Sequence, residues 1–518
     1  MNVNFIFMRK FTLLIASLFI TMGAMAQTLV DYKIVTSGDN ATGVLSRTDT
    51  NTSSSWRDLF TYTVTEANPA QLTLKVTNPS NDAKRFNMFA QNDGVQIETG
   101  DGSSTYTLAV PAPYKIASYS FDVKANTAGN VITAVNGEGE PLTIETSVSN
   151  FSVENVNSSE AVFELEGTNN RTNVCTNFVV KVYNSFEGKY LTLQCVSGEQ
   201  YLTSSIGTTS DCRRLVMGGE GNKVFYYINN ALLSYADGRF MKVAAKSMKY
   251  EMYWDEISVE TPVVVGFKLN GENVYSVTLG NEGEFVNNNT GGYRYLYGAS
   301  SYSDSGTAAT LPTGDGYKWY VEEVTELPVT VTEAGFATLY APVALTVPTE
   351  VKAYTVTING DWATLNEITS GIIPANTGVV IAGADGEAAA EGTYNFAITT
   401  TDETLESDLR GSVAATYYTE AGTYYALAQV DGVVGFYKDE FNNSRFQNNS
   451  HKAYLYVASE GAEAASYSFR FGEGTTGISE VKGENGNVKV IYDLTGRRVE
   501  NITAPGIYVV GGKKVLVK

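Results

Sequence analysis

Apolar residues in this chain recur at every second position, in short runs closed off by Gly, Asn and Pro. Leu72, Leu74 and Val76 form one such run, and Tyr106, Leu108 and Val110 another. Tyr119, Phe121 and Val123 follow, then Phe178, Val180 and Val182. Each run turns one side of an extended chain toward a core. Turn-forming clusters such as Asn92-Asp93-Gly94 separate them. The pattern predicts an all-β protein whose first module, residues 27–184, is a β-sandwich. One segment departs from it. Thr400-x-x-Glu403, then Leu405 and Leu409 on one face and Gly411 as a stop, predicts a short helix over 401–410.

Residues 185–325 carry a phrase of Gly, one or two residues, an aromatic, and Leu or Met. It occurs as Gly188-Lys189-Tyr190-Leu191, Gly198-Glu199-Gln200-Tyr201-Leu202, Gly238-Arg239-Phe240-Met241 and Gly292-Tyr293-Arg294-Tyr295-Leu296. Read from Gly188 to Gly238 to Gly292, the spacing is 50 and then 54, with the phrases around Trp254 and Trp319 in correspondence. A period of that size predicts stacked or radial β units, of which the span holds three. The module is similar to the β-trefoil of ricin-type lectins, although the Gln-x-Trp of that class occurs nowhere here. The resemblance implies a trefoil-like fold, and the missing Gln-x-Trp weakens what it implies about sugar binding.

Two further segments carry resemblances. YTLAVPAPYKIASYSFDV (106–123) and TNFVVKVY (176–183) resemble a β-sandwich that precedes glycosidase domains, sialidases included, in secreted bacterial proteins. What this implies is a glycan-rich setting, and no reaction, because a shared fold does not assign chemistry. Residues 326–474, with AGFATLYAPVALTVPTEVKAYTV, IPANTGVVI and GTYYAL, resemble a β-rich domain near the C-termini of bacterial surface proteins.

The two ends read as addresses. Arg9 and Lys10 precede an apolar run from Phe11 to Met22, too short to span a bilayer, and Ala24 and Ala26 form a small-residue cleavage site before Gln27. Residues 1–26 are therefore expected to be a signal peptide removed on export, leaving no transmembrane span in the mature chain. Residues 475–518 are a Gly- and charge-rich linker and a tail. From 486 onward, six basic residues face two acids in a chain otherwise strongly acidic. Val490 to Val499, Pro505-Gly506-Ile507-Tyr508 and the last six residues resemble the C-terminal sorting domain of type IX secretion cargo in Gram-negative bacteria. By that resemblance Tyr492, Asp493, Gly496, Arg497, Arg498, Gly506, Tyr508, Lys513, Lys514 and Lys518 engage the secretion machinery. The destination is then the outer cell surface or the medium.

Composition narrows the chemistry. Lys and Arg number 36 against 56 Asp and Glu, a formal charge of −20, which disfavours a phosphate backbone as partner. A single His and three Cys leave no set for a Ser-His-Asp triad or a zinc site, so no cofactor and no metal are expected. His451 reads as a surface or packed residue. Cys195 and Cys212 lie 17 residues apart, and export permits a disulfide between them with Cys175 left over. The candidate ligand site is the run TGGYRYLYGASSYSDSG. In a strand, Tyr293, Tyr295 and Tyr297 share a face, and aromatic faces with polar tips stack on sugar rings. Asn288 and Asp304 would add polar contacts. The competing reading makes these tyrosines core residues of the repeat. Ser303-Asp304-Ser305-Gly306-Thr307 approaches a sialidase Asp-box but lacks its spacing and its Trp. The expected function is a non-catalytic secreted or surface protein that binds glycans. The alternatives are a structural scaffold or adhesin with protein partners, and a glycoside hydrolase with a cryptic carboxylate pair.

Overall fold

The structure is a computed structural model. It describes residues 30–35, 43–47, 61–64, 72–77, 86–89, 94–97, 102–167, 173–209, 212–219, 222–246, 249–254, 262–281, 284, 292–298, 303–308, 310–360, 362–439, 445–458, 464–471, 491–493, 498–499, 506–510 and 513–517. Among them the regular structure is β, broken only by single 3-10 turns at Asp315–Tyr317 and Ala384–Gly386. No helix among them is long and apolar enough to cross a membrane. The fold is all-β and multidomain, and the chain divides into two compact units, 1–324 and 325–518.

The first part of unit one packs two sheets face to face. The long strands Tyr114–Ala125 and Asn173–Asn184 pair antiparallel and carry Ser149–Val153 on one side and Val30–Val35 and Gly94–Ile97 on the other. The facing sheet runs through Glu160–Gly167, Gly102–Ala109 and Thr73–Thr77. The period-two residues read from the sequence meet between them. Leu74, Tyr106, Leu108, Tyr119, Phe121, Phe178, Val180 and Val182 are all buried in one cluster. The Phe121 ring touches the facing sheet at Phe163, with centroids 5.2 Å apart. Cys175 is a buried free thiol of this core.

The second part of unit one is built of three four-stranded units. Their strands are Lys189–Cys195, Leu202–Thr209, Cys212–Met217 and Phe225–Ile228; then Ala231–Ser234, Met241–Lys246, Lys249–Trp254 and Val265–Leu269; then Val274–Leu279, Tyr293–Gly298, Ser303–Ala308 and Trp319–Glu323. The second and third strands of each unit form a hairpin. The first and fourth strands join into a ring, paired at five of its seams. At the sixth seam the Val265 N–H donates to the Asn230 carbonyl at 2.7 Å. This threefold plan of ring and hairpins is trefoil-like. Its interior gathers Leu191, Leu202, Phe225, Met241, Trp254, Val277, Leu296 and Trp319 into one buried cluster.

The structure corrects the phase of the repeat. The first strand of each unit bridges to its second at Gln194–Tyr201, Leu233–Phe240 and Thr278–Tyr295. The equivalent glycines are therefore Gly198, Gly238 and Gly292, all at positive φ, with spacings of 40 and 54. Gly188 leads a first strand and belongs to another position. Trp254 and Trp319 likewise occupy different places, at the end of a third strand and the start of a fourth. The sequence phrase recurs on both kinds of strand because both need a turn glycine and an inward aliphatic residue.

Unit two contains a four-stranded sheet, through Glu326–Val331 and Gly392–Thr399, and a nine-stranded sheet that includes Lys352–Asn359, Thr423–Val430 and Lys452–Val457. The expected helix over 401–410 does not form. Thr401 Oγ1 accepts the Glu403 N–H at 3.1 Å as a local turn, and Ser407 Oγ and Asp408 Oδ2 take the N–H groups of Val356 and Ile358. Leu409 starts a strand, Leu409–Ser412, paired with Lys452–Val457. A sheet partner outweighs the weak helical preference of one isolated turn. His451 is packed, 3% exposed, with Nδ1 2.7 Å from Ser450 Oγ. The tail forms its own four-stranded sheet from Ile491–Asp493, Arg498–Val499, Gly506–Val510 and Lys513–Val517. Tyr492, Asp493, Arg498, Gly506, Tyr508, Lys513 and Lys514 stand in these strands. Gly496, Arg497 and Lys518, like Ala26 and Gln27 at the other end, lie outside the described residues.

Candidate functional site

The Tyr293–Gly298 strand alternates as its sequence predicts. Leu296 goes into the trefoil-like core, and Gly298 faces the same way, where an added Cβ would lie 2.3 Å from Cys195 Sγ. The three tyrosines take the opposite side but not one common environment. Tyr293 is half-buried, Tyr295 is 2% exposed and Tyr297 is 36% exposed. The Tyr293 and Tyr295 rings meet edge to face at 6.3 Å. Tyr297 packs on Tyr317 at 4.7 Å, over Gly316, whose missing side chain makes room for the ring. Burial removes Tyr295 from any open aromatic platform. Asp304 stands opposite Tyr297 in the hairpin register, and Asn288 lies outside the described residues.

Tyr293 instead lines a cleft of about 200 Å³ where the sandwich meets the trefoil-like part. One wall is the end of the sandwich, with Tyr114, Tyr183 and Asn184. The other is the strand pair Val265–Leu269 and Val274–Leu279, with Gly266, Lys268 and Thr278. Gly266 stands opposite Thr278, and a Cβ there would come 2.5 Å from Thr278 Oγ1, so this patch of the lining stays small. Lys268 Nζ sits 3.5 Å over the centroid of the Tyr293 ring. That contact fixes a flexible ammonium by its attraction to the ring face.

The connection between the two parts holds the cleft in shape. Asn184 Oδ1 accepts the Phe186 N–H at 3.0 Å, and its Nδ2 donates to Tyr227 Oη at 3.4 Å. Tyr227, fully buried, donates its hydroxyl proton to the Val265 carbonyl at 2.7 Å. Burial pushes that phenol well above its ordinary range. Glu187 takes the backbone N–H of Asn229 on one carboxylate oxygen and that of Asn230, at 3.4 Å, on the other. Asn229 and Asn230 are both left-handed, as a tight two-residue hairpin turn requires. Burial raises the Glu187 pKa, and the two N–H groups pull it partly back.

Sequence reasoning found Tyr293 and missed Asn184, Glu187, Lys268 and Asn281. The available signals were the Asn229-Asn230 turn pair, a glycine inside a strand at 266, and the module boundary itself, since clefts form where domains meet. The expected Cys195–Cys212 bridge is not formed. Cys195 is a buried free thiol facing the carbonyls of Asp315 and Gly316. It points into the core, whereas Cys212 starts the hairpin strand that pairs with Leu202–Thr209. Among the described residues no group of acids, His and Cys is placed to hold a metal.

The chain matches no protein-family model and no curated protein. Among solved structures it has a likeness to TmCBM61 in complex with beta-1,4-galactotriose, at 12% identity over 24% of this chain and 89% of that one, with a TM-score of 0.15. Lysenin with phosphocholine matches at 11% identity, covering 58% of this chain and 97% of that one, with a TM-score of 0.20. The lysenin pore matches at 10% identity, covering 46% and 96%, with a TM-score of 0.18. Scores of this size carry no functional argument.

Proposed function

We propose that this chain is an exported, non-catalytic modular protein that binds glycans in the cleft between its sandwich and its trefoil-like part. The observation that carries the reading is the cleft itself. Its lining combines amide, hydroxyl, ammonium and aromatic groups, the mixture that recognises a polyhydroxylated ligand. Its parts are held by buried hydrogen bonds, so little ordering remains to be done on binding. Residues 1–26 and the basic tail give it an extracellular or surface destination, where such ligands occur. A glycan-array screen of the full-length chain tests the reading. Binding to a defined sugar class is expected. Silence across the array from folded protein would move the function to a structural scaffold with protein partners.

A further inference from the structure

We infer a second ligand site, on the outer face of the nine-stranded sheet in unit two. It takes a uronic-acid-bearing glycan, with a sugar ring on Trp362 and its carboxylate on Arg470. The inference is independent of the cleft, whose own ligands need no carboxylate.

Five strands of that sheet, Lys352–Asn359, Trp362–Glu367, Ser466–Phe471, Val433–Lys438 and Thr423–Val430, stand side by side in this order. One of their faces is dry, because Val356, Ala363, Leu365, Tyr425, Phe436 and Tyr467 belong to one buried cluster. Alternation sends the intervening residues to the other face. There Trp362 stands opposite Ser468, Ser468 opposite Gly435, and Gly435 opposite Ala428. Small residues therefore floor the sheet beside the indole, which is 42% exposed. The Tyr437 hydroxyl donates to the Val433 carbonyl at 3.0 Å, which lays its ring along its own strand. The Trp362 and Tyr437 rings are then separated by two strand spacings, about 10 Å. A run of sugar rings laid across the strands meets both.

Charge selects among such ligands. Among the described residues, Arg470 is the one charged side chain that these five strands carry on this face. It is exposed, one strand over from Trp362 and two residues along, roughly 8 Å away at ordinary strand spacing and rise. Among the described residues it has neither an ion pair nor a hydrogen bond. In a chain of net charge −20, a face without acids that carries a guanidinium is complementary to an anion. A guanidinium grips a carboxylate through two parallel hydrogen bonds, and an aromatic face covers a sugar ring. A uronic acid offers the ring and the carboxylate in one residue. An acidic peptide offers the carboxylate without the rigid ring.

The test is calorimetric titration of the full-length chain with oligogalacturonides and oligoglucuronides, each against its methyl ester, which keeps the ring and removes the charge. The free acid should bind about tenfold or more tightly than the ester. Arg470→Gln, at an exposed position, should remove that preference, and Trp362→Ala should abolish binding of acid and ester alike. Trp362→Phe, which keeps a ring, should retain part of it, and thermal unfolding checks that each variant is folded. Oligoglutamate of equal charge should bind weakly. Equal affinity for acid and ester, a preference that survives Arg470→Gln, or binding that survives Trp362→Ala overturns this site and leaves the cleft reading standing. So does the absence of binding to every uronide. Oligoglutamate binding as tight as that of the uronides would assign the face to acidic protein partners instead and overturn the glycan inference.

Discussion

Gly298 shows how tightly single positions are specified. Its chain conformation is ordinary, yet a methyl group there would overlap Cys195, while Trp319 at 3.5 Å would be in ordinary contact. Gly298→Ala should destabilise unit one by about 1–3 kcal/mol, the usual cost of overpacking, measured by denaturant unfolding. Asp122 is a second such position, on the sandwich surface. Its carboxylate accepts Asn150 Nδ2 at 3.0 Å and Asn177 Nδ2 at 2.8 Å, and these bonds hold its pKa below the ordinary value of 3.8. A depressed carboxylate contributes stability above its unfolded pKa and loses it as pH falls through the lower folded value. Wild type should therefore lose stability relative to Asp122→Asn on acidification through that window, and parallel curves would contradict the assignment. At this scale the sequence was a partial guide. Alternation put the three tyrosines on one face, but no local pattern tells whether that face is core or surface or distinguishes buried Tyr295 from exposed Tyr297, because neighbouring strands decide that. Lys268 and Glu187 were invisible for the same reason: their partners, Tyr293 and Asn229-Asn230, lie 25 and 42 residues away.

Among elements, strands were legible and pairings were not. The period-two runs at 119–123 and 178–182 fall in strands, and that at 106–110 does so up to Ala109, since one face of each must be dry. The helix over 401–410 failed because the pairing partner of Leu409–Ser412 lies some forty residues on, at Lys452–Val457. The repeat was visible but out of phase, because first and second strands share the same local needs. The hairpin joining Phe225–Ile228 to Ala231–Ser234 depends on a distant acid as well as on its own turn. Glu187→Ala leaves two backbone N–H groups to find water, and should cost about 1–3 kcal/mol of unit-one stability by chemical denaturation. Glu187→Gln, which keeps one acceptor, should cost less. A Glu187→Ala variant as stable as wild type would show that the carboxylate does not brace the turn.

At the scale of the molecule, an all-β class and several modules follow from turn spacing and the near absence of helical periodicity, and the structure has that architecture. The cleft was not legible, because it arises only when the end of one module meets the side of the next. Thiol chemistry is a check on the whole chain. With Cys175 and Cys195 buried as free thiols, titration of the denatured, unreduced protein should give three thiols, whereas one would indicate a bridge. The central claim is that the junction cleft is the binding site. The most direct measurement compares the glycan binding of the wild-type chain with that of Asn281→Trp, which places a bulky ring in the lining from an exposed turn. Binding by the wild type and its loss in a variant of unchanged melting temperature is the expected result. Equal binding by both proteins, or none by either, would contradict the account.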